Sequence, residues 1–293
     1  MTGSERDAEA AQERALPDFL GIGALKAGTS YLDAMLRSHP DLSLPLHLKE
    51  VEYFTRHLGR GADWYAGQFA PDDGRPRGEV SPQYLYDPRC AGRIARANPA
   101  ARLLVSVRQP VARTFSQYRH WVQETGYRGD FETFLAEHPG AVDRSRYWTL
   151  LQRYRVLFPD SQIHIVVFEQ MVADPRPVLQ RMYTFLGVDP SHTPTSLDRA
   201  VNVSGVPRFP RLYVRSKNVS RWLYAHGAGH TVERVKGWAP AGLLRARHGP
   251  GASMAAPSGP TPEVAQRLAA SYRADVTALS SYTGLDLVAL WDL

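Results

Sequence analysis

The residues best suited to chemistry in this chain lie in a glycine-rich turn within residues 19–32, F-L-G-I-G-A-L-K-A-G-T-S-Y-L. If a helix begins after this turn, the backbone N–H groups of Gly28, Thr29 and Ser30 point outward without partners, and the helix dipole adds partial positive charge. Lys26 adds a full charge beside them. These groups favour an anion, so the turn predicts a phosphate-binding site. A plain strand-to-helix turn is the alternative.

The order of residues in this turn differs from that of the common nucleotide-triphosphate loop, G-x-x-x-x-G-K-[ST], in which the lysine follows the last glycine. Here Lys26 precedes Gly28. The chain has four lysines among its 35 basic residues, and a second one, Lys49, lies in another candidate segment. Since arginine serves at most other basic positions, these two lysines indicate a need for a compact charge on a flexible stem.

A second candidate segment begins within an apolar run at residues 102–108 and has the sequence V-R-Q-P-V-A-R-T-F-S-Q-Y at residues 107–118. Arg108 ends the run, where its guanidinium can hold a phosphate through two hydrogen bonds. Ser116 follows about two helical turns later, on the flank of the next element. The alternative is that Arg108 and Arg113 are surface cations on an amphipathic helix.

Together the two segments resemble the donor-binding motifs of sulfotransferases that use 3′-phosphoadenosine 5′-phosphosulfate (PAPS). The K-x-G-T-S order at residues 26–30 is similar to their 5′-phosphosulfate loop, and residues 107–118 are similar to their 3′-phosphate signature, V-R-x-P-x-x-R-x-x-S-x-Y. Residues 49–54, K-E-V-E-Y-F, look like the K-E-x-x-[FY]-F segment of the heparan sulfate type of sugar sulfotransferase. Further similarity lies in E-x-S-P-x-Y at residues 79–84, F-P-x-x-Q-I at residues 158–163, and a stretch typical of bacterial members at residues 202–208.

The resemblance implies a donor, a product and a set of site residues. It implies PAPS as co-substrate, adenosine 3′,5′-bisphosphate (PAP) as product, and no metal. The implied donor-binding residues are Lys26, Ala27, Gly28, Thr29, Ser30, Arg108 and Ser116. The implied catalytic residues are Glu50, as the base for an acceptor hydroxyl, and Lys26 and Lys49, close to the transferred sulfuryl group.

The choice of base leaves alternatives. Glu52 competes with Glu50, because residues two apart in an extended segment face the same way. Glu50 could instead form a salt bridge with a structural arginine. The remaining candidates are His47, His57 and His120.

The sequence departs from the family pattern in two places. Thr55 stands where the animal enzymes often carry an aspartate, so contacts to a glycan can differ. Those enzymes also close the donor site with a disulfide-held loop that bears lysine and glycine. This chain offers only R-A-R-H-G at residues 245–249 as a substitute. The acceptor and the closing segment within residues 208–262 therefore stay open.

Strands that alternate with helices must position these residues. Apolar runs predict strands, and apolar residues at helical spacing predict helices. The predicted strands cover residues 18–23, 102–108 and 162–168. The predicted helices cover residues 29–38, 110 to about 123, 147–157, 175–186 and 262–282. This alternation is typical of an α/β fold, here a P-loop-like three-layer α/β/α arrangement around a central, mostly parallel sheet, with ligands beyond the carboxyl ends of the strands.

Composition bounds the rest. The 293 residues carry a formal charge of +6, which suits a polyanionic small ligand, but no basic cluster indicates nucleic acid. We expect a tail at residues 1–17 and one domain at residues 18–293, with a flexible loop at 249–262. Neither a signal peptide nor a membrane span is predicted, and the single Cys90 fits a reducing, cytoplasmic location. The resemblance implies an acceptor that is a small molecule or a carbohydrate, and the oligomeric state is open.

Two rival functions remain. A P-loop nucleotide kinase would explain the glycine-rich turn, but the lysine precedes the glycine and no strand-end aspartate offers itself for magnesium. A non-catalytic protein that binds PAP or another nucleotide would also use these motifs, because a fold does not guarantee activity.

Overall fold

Residues 16–195 and 259–293 are described by a computed structural model of the protein. The predicted tail lies almost wholly outside these ranges. So do residues 202–208, the candidate closing segment at residues 245–249, and most of the predicted loop at residues 249–262.

Within the described residues, four parallel strands form the central sheet. They are β1 (Phe19–Gly23), β2 (Gly78–Val80), β3 (Arg102–Val107) and β4 (Ile163–Val167). Their order across the sheet is β2-β1-β3-β4, and every neighbouring pair is parallel. Leu20 on β1 is paired with Glu79 on β2 and Leu103 on β3. All four strands therefore end at the same edge of the sheet.

Helices occupy both faces of this sheet and its ends. In chain order they are α1 (Thr29–Ser38), α2 (Ala62–Ala66), α3 (Cys90–Ala97), α4 (Pro110–Thr125), α5 (Phe131–Glu137), α6 (Gly140–Asp143), α7 (Tyr147–Arg155), α8 (Phe168–Ala173), α9 (Pro175–Leu186), α10 (Pro262–Thr283) and α11 (Leu287–Leu290). In the ranges given above, none of the helices is long and apolar enough to cross a bilayer.

Two apolar cores, one on each face of the sheet, explain the three layers. Along β3, Leu103 and Val105 belong to the core that includes α3, α7 and α10, whereas Leu104 belongs to the core that includes α1 and α9. Successive residues of a strand point to opposite faces, so a strand covered on both sides is apolar throughout. The three-layer α/β/α prediction is confirmed.

Strand β2 was not predicted from sequence. The composition of residues 72–78, D-D-G-R-P-R-G, is typical of an exposed loop, but Gly78 begins β2 and Arg77 is buried. With only three residues, one of them glycine and one a glutamate, β2 lacks the apolar run that marks a buried strand. Its middle residue, Glu79, is completely buried.

The sheet order also places a ligand crevice. Chain connections run from β1 outward to β2 and then back past β1 to β3, so the direction of winding changes between β1 and β3. In open α/β sheets, ligands bind beyond the carboxyl ends of the strands at this point. The two predicted phosphate-binding segments follow these two neighbouring strands.

Candidate active site

The turn after β1 has the backbone of an anion-binding loop. Lys26 and Gly28 have positive φ angles of 68° and 86°, and α1 begins at Thr29. Ser106 on β3 donates to the carbonyl of Ala27, and Leu25 N–H donates to Tyr86 Oη at 2.9 Å. The turn is therefore held from two sides by side chains outside it. Ser106 and Tyr86 were not predicted, because a lone serine in a strand and a lone tyrosine carry no motif.

Phe168, directly after β4, leaves no room for a side chain at residue 28. A Cβ atom at Gly28 would lie 2.3 Å from Cδ2 of Phe168, well inside contact distance. The guanidinium carbon of Arg108 lies 4.9 Å from the centre of the same ring, on which it can stack. One aromatic ring thus contacts both predicted phosphate-binding segments.

Arg108 joins the second segment to the first. Its Nη1 donates to the carbonyl of Lys26 at 3.4 Å, and its own carbonyl accepts from Tyr147 Oη at 2.7 Å. Burial lowers the pKa of the Arg108 guanidinium, while the nearby Glu169 carboxylate opposes this effect. The group is partly desolvated, which strengthens its attraction for an anion. Ser116 lies in the second turn of α4 and is half-buried.

The interpretation of Arg113 as a surface cation is wrong. Its side chain is fully buried, and its Nη2 donates to the carbonyl of Ala141 at 2.6 Å. Its Nη1 donates to Gln117 Oε1 at 2.8 Å and reaches the carbonyl of Leu25 at 3.4 Å. Arg113 therefore supports the residue that precedes Lys26.

The third segment meets the first at Lys49. Lys49 Nζ donates to Ser30 Oγ at 2.8 Å and forms an ion pair with Glu50 Oε1 at 3.1 Å. Both side chains are about one-third exposed. The partner of Glu50 is a lysine of the same segment, so the alternative of a structural arginine does not hold. Lys49, Glu50 and the start of α1 form one polar cluster open to solvent.

Glu52 has a different environment. The segment is not extended at this point, because Glu52 has a φ angle of 53° and a π-helical turn, Tyr53–His57, begins directly after it. Glu52 Oε2 pairs with Arg56 Nε at 2.8 Å. The reason for placing Glu50 and Glu52 on one side was therefore wrong. Among the histidine candidates, burial lowers the pKa of His57, whose ring packs against Trp64.

Buried Glu79 supports this third segment from beneath. Its carboxylate accepts from Val51 N–H at 3.0 Å, from Ser81 Oγ and from Tyr84 Oη. Burial raises the pKa of the Glu79 carboxyl to about 7, against the lowering effect of these hydrogen bonds. Similarity to E-x-S-P-x-Y marked these residues in the sequence but gave them no role.

The donor set of the cluster fits a polyanion. It consists of two lysines, an arginine and the amino end of a helix, groups that bind phosphate and sulfate oxygens. Among residues 16–195 and 259–293, no group of three or more histidine, cysteine, aspartate or glutamate side chains is placed to hold a metal ion. The assignment of each residue to donor or catalysis stays a prediction.

Known proteins are similar to this chain in sequence. Residues 48–192 match the model of the sulfotransferase family. The mouse heparan sulfate glucosamine 3-O-sulfotransferase 6 is 32% identical over 184 residues, 60% of this chain and 53% of that protein. The human bifunctional heparan sulfate N-deacetylase/N-sulfotransferase 3 is 28% identical over 199 residues, 60% of this chain and 23% of that protein. The matches thus cover less than two thirds of these relatives.

A solved structure shares the fold. The sulfotransferase of Alicyclobacillus acidocaldarius superposes with a TM-score of 0.66 at 24% identity, covering 94% of this chain and 99% of that one. The family match at residues 48–192 spans the motifs at residues 49–54 and 107–118. Residues 48–192 of this chain are thus a sulfotransferase-family region, and the relatives named above are sulfotransferases.

Proposed function

We propose that this protein transfers a sulfuryl group from PAPS to a hydroxyl of a small-molecule or carbohydrate acceptor and releases PAP. The observation that carries the proposal is the position of Lys49, 2.8 Å from Ser30 on the anion-binding turn and 3.1 Å from Glu50. A cation and a candidate base meet where the turn would hold the donor's 5′ end. The family assignment supports the same reaction class.

Two groups of residues would bind the two ends of the donor. Lys26 and the N–H groups of Gly28, Thr29 and Ser30 would hold the 5′ end of PAPS. Arg108 and Ser116 would hold its 3′-phosphate, and Arg108 is already fixed against the carbonyl of Lys26. When bound, PAPS supplies the sulfuryl group. Positioning and charge stabilisation then supply most of the rate enhancement, as in phosphoryl transfer.

Glu50 would act as the base. Its carboxylate takes the proton of the acceptor hydroxyl as the oxygen forms its bond to sulfur and the bond from sulfur to the 5′-phosphate oxygen breaks. Lys49, which contacts both Glu50 and Ser30, would neutralise the charge that grows on the departing oxygen. A carboxylate base contributes about 10²- to 10⁴-fold to such a step.

The acceptor is proposed at the level of its class. A carbohydrate is the first candidate, because relatives are named for heparan sulfate. Thr55 follows the K-E-V-E-Y-F segment where the animal enzymes often have an aspartate, so a different sugar or a small-molecule alcohol is the second.

A thermal-shift comparison of PAP with ATP tests the reaction class. A ligand at 100 times its dissociation constant stabilises a protein by about 2.7 kcal/mol. We expect PAP to raise the melting temperature and ATP with Mg²⁺ to raise it less. A larger shift with ATP would favour the nucleotide kinase and overturn the proposal.

Incubation with labelled PAPS and pooled alcohols and sugars tests catalysis. We expect acceptor-dependent release of PAP above the hydrolysis rate. Binding of PAP without such release from any acceptor would leave the non-catalytic binding protein as the answer.

A further inference from the structure

The backbone of residues 51–54 is held by side chains and not by a strand. Val51 N–H donates to Glu79 Oε2 at 3.0 Å. Glu52 N–H donates to Ser81 Oγ at 3.0 Å, and Phe54 N–H donates to Tyr84 Oη at 3.3 Å. The three acceptors lie about 30 residues later, on β2 and the turn after it.

Every hydrogen bond in this network points toward one carboxylate. Ser81 Oγ accepts from Glu52 and donates to Glu79 Oε2, and Tyr84 Oη accepts from Phe54 and donates to Glu79 Oε1. An ionised carboxylate only accepts, so it satisfies all three donors at once. If Glu79 is protonated, Ser81 Oγ or Tyr84 Oη must accept from it, and that hydroxyl then loses Glu79 as the acceptor for its own hydrogen.

We propose that Glu79 is a positioning residue for sulfuryl transfer: its carboxylate, directly and through Ser81 and Tyr84, holds residues 51–54 so that Lys49 and Glu50 face the anion-binding turn. The inference rests on the proposed function. Glu79 itself is completely buried. It acts through the backbone that carries the base.

Two arginines hold the backbone before residues 51–54 and at the end of these residues. Arg37 donates to the carbonyls of Pro45 and Leu48 at 2.5 and 3.1 Å, and Arg93 donates to the carbonyl of Phe54 at 2.6 Å. The Glu79 network is the support between these ends, next to the residues that would do the chemistry. Preorganisation of this kind matters because a misplacement of about 1 Å costs about 10²-fold in rate.

Glu79 is the group in its pocket that changes charge near neutral pH. The titratable groups that face it are Tyr65 on α2, Tyr84 beside β2 and Cys90 on α3. Burial raises the pKa of both tyrosines well above the usual range and that of the Cys90 thiol to about 12. These three stay neutral between pH 5 and pH 9.

Glu79→Gln tests the role with nearly unchanged shape. The amide turns one end of the side chain into a donor, which then faces another donor. We expect kcat to fall about 10²-fold, with the KM for PAPS little changed. In the unchanged protein kcat should rise with pH near 7, as Glu79 ionises, and this rise should be absent in Glu79→Gln. The control is Asp275→Asn. Asp275 on α10 is also buried and accepts three hydrogen bonds, but its donors, Trp148 N–H, Thr149 N–H and Thr149 Oγ1, lie on α7 and not in the third segment.

The control separates positioning from general stability. We expect Asp275→Asn to lower the melting temperature without changing the pH profile of kcat. If Glu79→Gln leaves kcat within twofold, or lowers kcat and melting temperature only as Asp275→Asn does, the inference is overturned. If Glu79→Gln does not fold, Ser81→Ala takes its place, with a smaller expected loss of kcat because Val51 keeps its acceptor.

Hydrogen exchange gives a readout that needs no acceptor. We expect the amides of residues 51–54 to exchange faster in Glu79→Gln, while PAP raises its melting temperature as in the unchanged protein. Unchanged exchange would overturn the positioning role even if sulfuryl transfer is established. Conversely, faster exchange in a protein that transfers no sulfuryl group would show that Glu79 holds residues 51–54. That result would refute the proposed function alone.

Discussion

Among single residues, Glu50 and Glu52 differ most clearly in what surrounds them. Glu50 is paired with Lys49, which also contacts the anion-binding turn. Glu52 is paired with Arg56 on the following helical turn. Glu50 thus shares its partner Lys49 with Ser30 on the turn after β1, and this favours Glu50 as the base.

Glu50→Gln and Glu52→Gln form a matched pair. We expect Glu50→Gln to lower kcat about 10²- to 10⁴-fold while PAP still raises the melting temperature, because the amide cannot take a proton. Glu52→Gln loses a partly exposed ion pair worth about 1 kcal/mol or less and should keep most of its turnover. Near-normal turnover in Glu50→Gln with a loss in Glu52→Gln would reverse the assignment.

Residue types and spacing predicted the groups with exposed polar ends and left out those that support them. Lys49 and Arg108 stand in motifs, and the structure brings each to the turn that contains Lys26. Ser106 and Tyr86 act through single hydrogen bonds to backbone atoms. Such contacts depend on which elements meet in three dimensions, and no local pattern reports that.

At the level of elements, the junction between β1 and α1 is the most constrained. Gly28 has both a positive φ angle and no room for a Cβ, because Phe168 lies against it. The two constraints have different causes, one in the backbone and one in packing. Two glycine substitutions can separate them.

Gly28→Ala should abolish the PAP-induced rise in melting temperature. The left-handed backbone costs a non-glycine residue about 1 to 2 kcal/mol, and the clash at 2.3 Å forces the ring or the turn to move. Gly126→Ala is the control, since Gly126 also has a positive φ angle, 73°, but has open space around its Cβ position at the end of α4.

Calorimetry of the two variants decides the point. We expect both to lose some stability and only Gly28→Ala to lose PAP binding. Equal PAP binding in the two variants would show that the turn tolerates displacement and would weaken its assignment as the phosphate-binding loop.

Elements with their own local signals were predicted well. Helices α1 and α9 have the predicted bounds, and α9 ends before Gly187, whose φ angle of 75° suits a helix cap. Strand β2 and the turn Tyr53–His57 were missed or misjudged, since pairing and side-chain contacts with distant segments create them. The two missed elements are the ones that hold Glu79 and the segment it supports.

At the level of the whole molecule, Glu79 links proton binding to stability. Its carboxyl has a pKa of about 7 in the folded protein against 4.5 as the ordinary value. Between these two pH values the folded chain holds more protons than the unfolded one, so stability falls as the pH rises. Below pH 4.5 the carboxyl is protonated in both the folded and the unfolded state, so it adds no pH dependence to the stability.

Urea unfolding of the unchanged protein and of Glu79→Gln at several pH values measures this effect. We expect the stability of the unchanged protein relative to the variant to fall by on the order of 3 kcal/mol between pH 4.5 and pH 8. Parallel curves for the unchanged protein and Glu79→Gln would contradict the raised pKa.

The alternation of strands and helices predicted the architecture of the molecule, and the solved sulfotransferase structure shares that fold. A single domain at residues 18–293 and a cytoplasmic location stay predictions. The acceptor depends on segments that sequence motifs do not define, including residues 208–262.

Phe168 contacts both of the predicted phosphate-binding segments. Gly28 lies against one part of its ring and Arg108 stacks over it, although the three residues come from three different strand-to-helix junctions. A shift of either segment alone would lose its contact with the ring. The relative position of the two predicted anion sites therefore depends on this one side chain, so a smaller residue at position 168 should loosen both segments together.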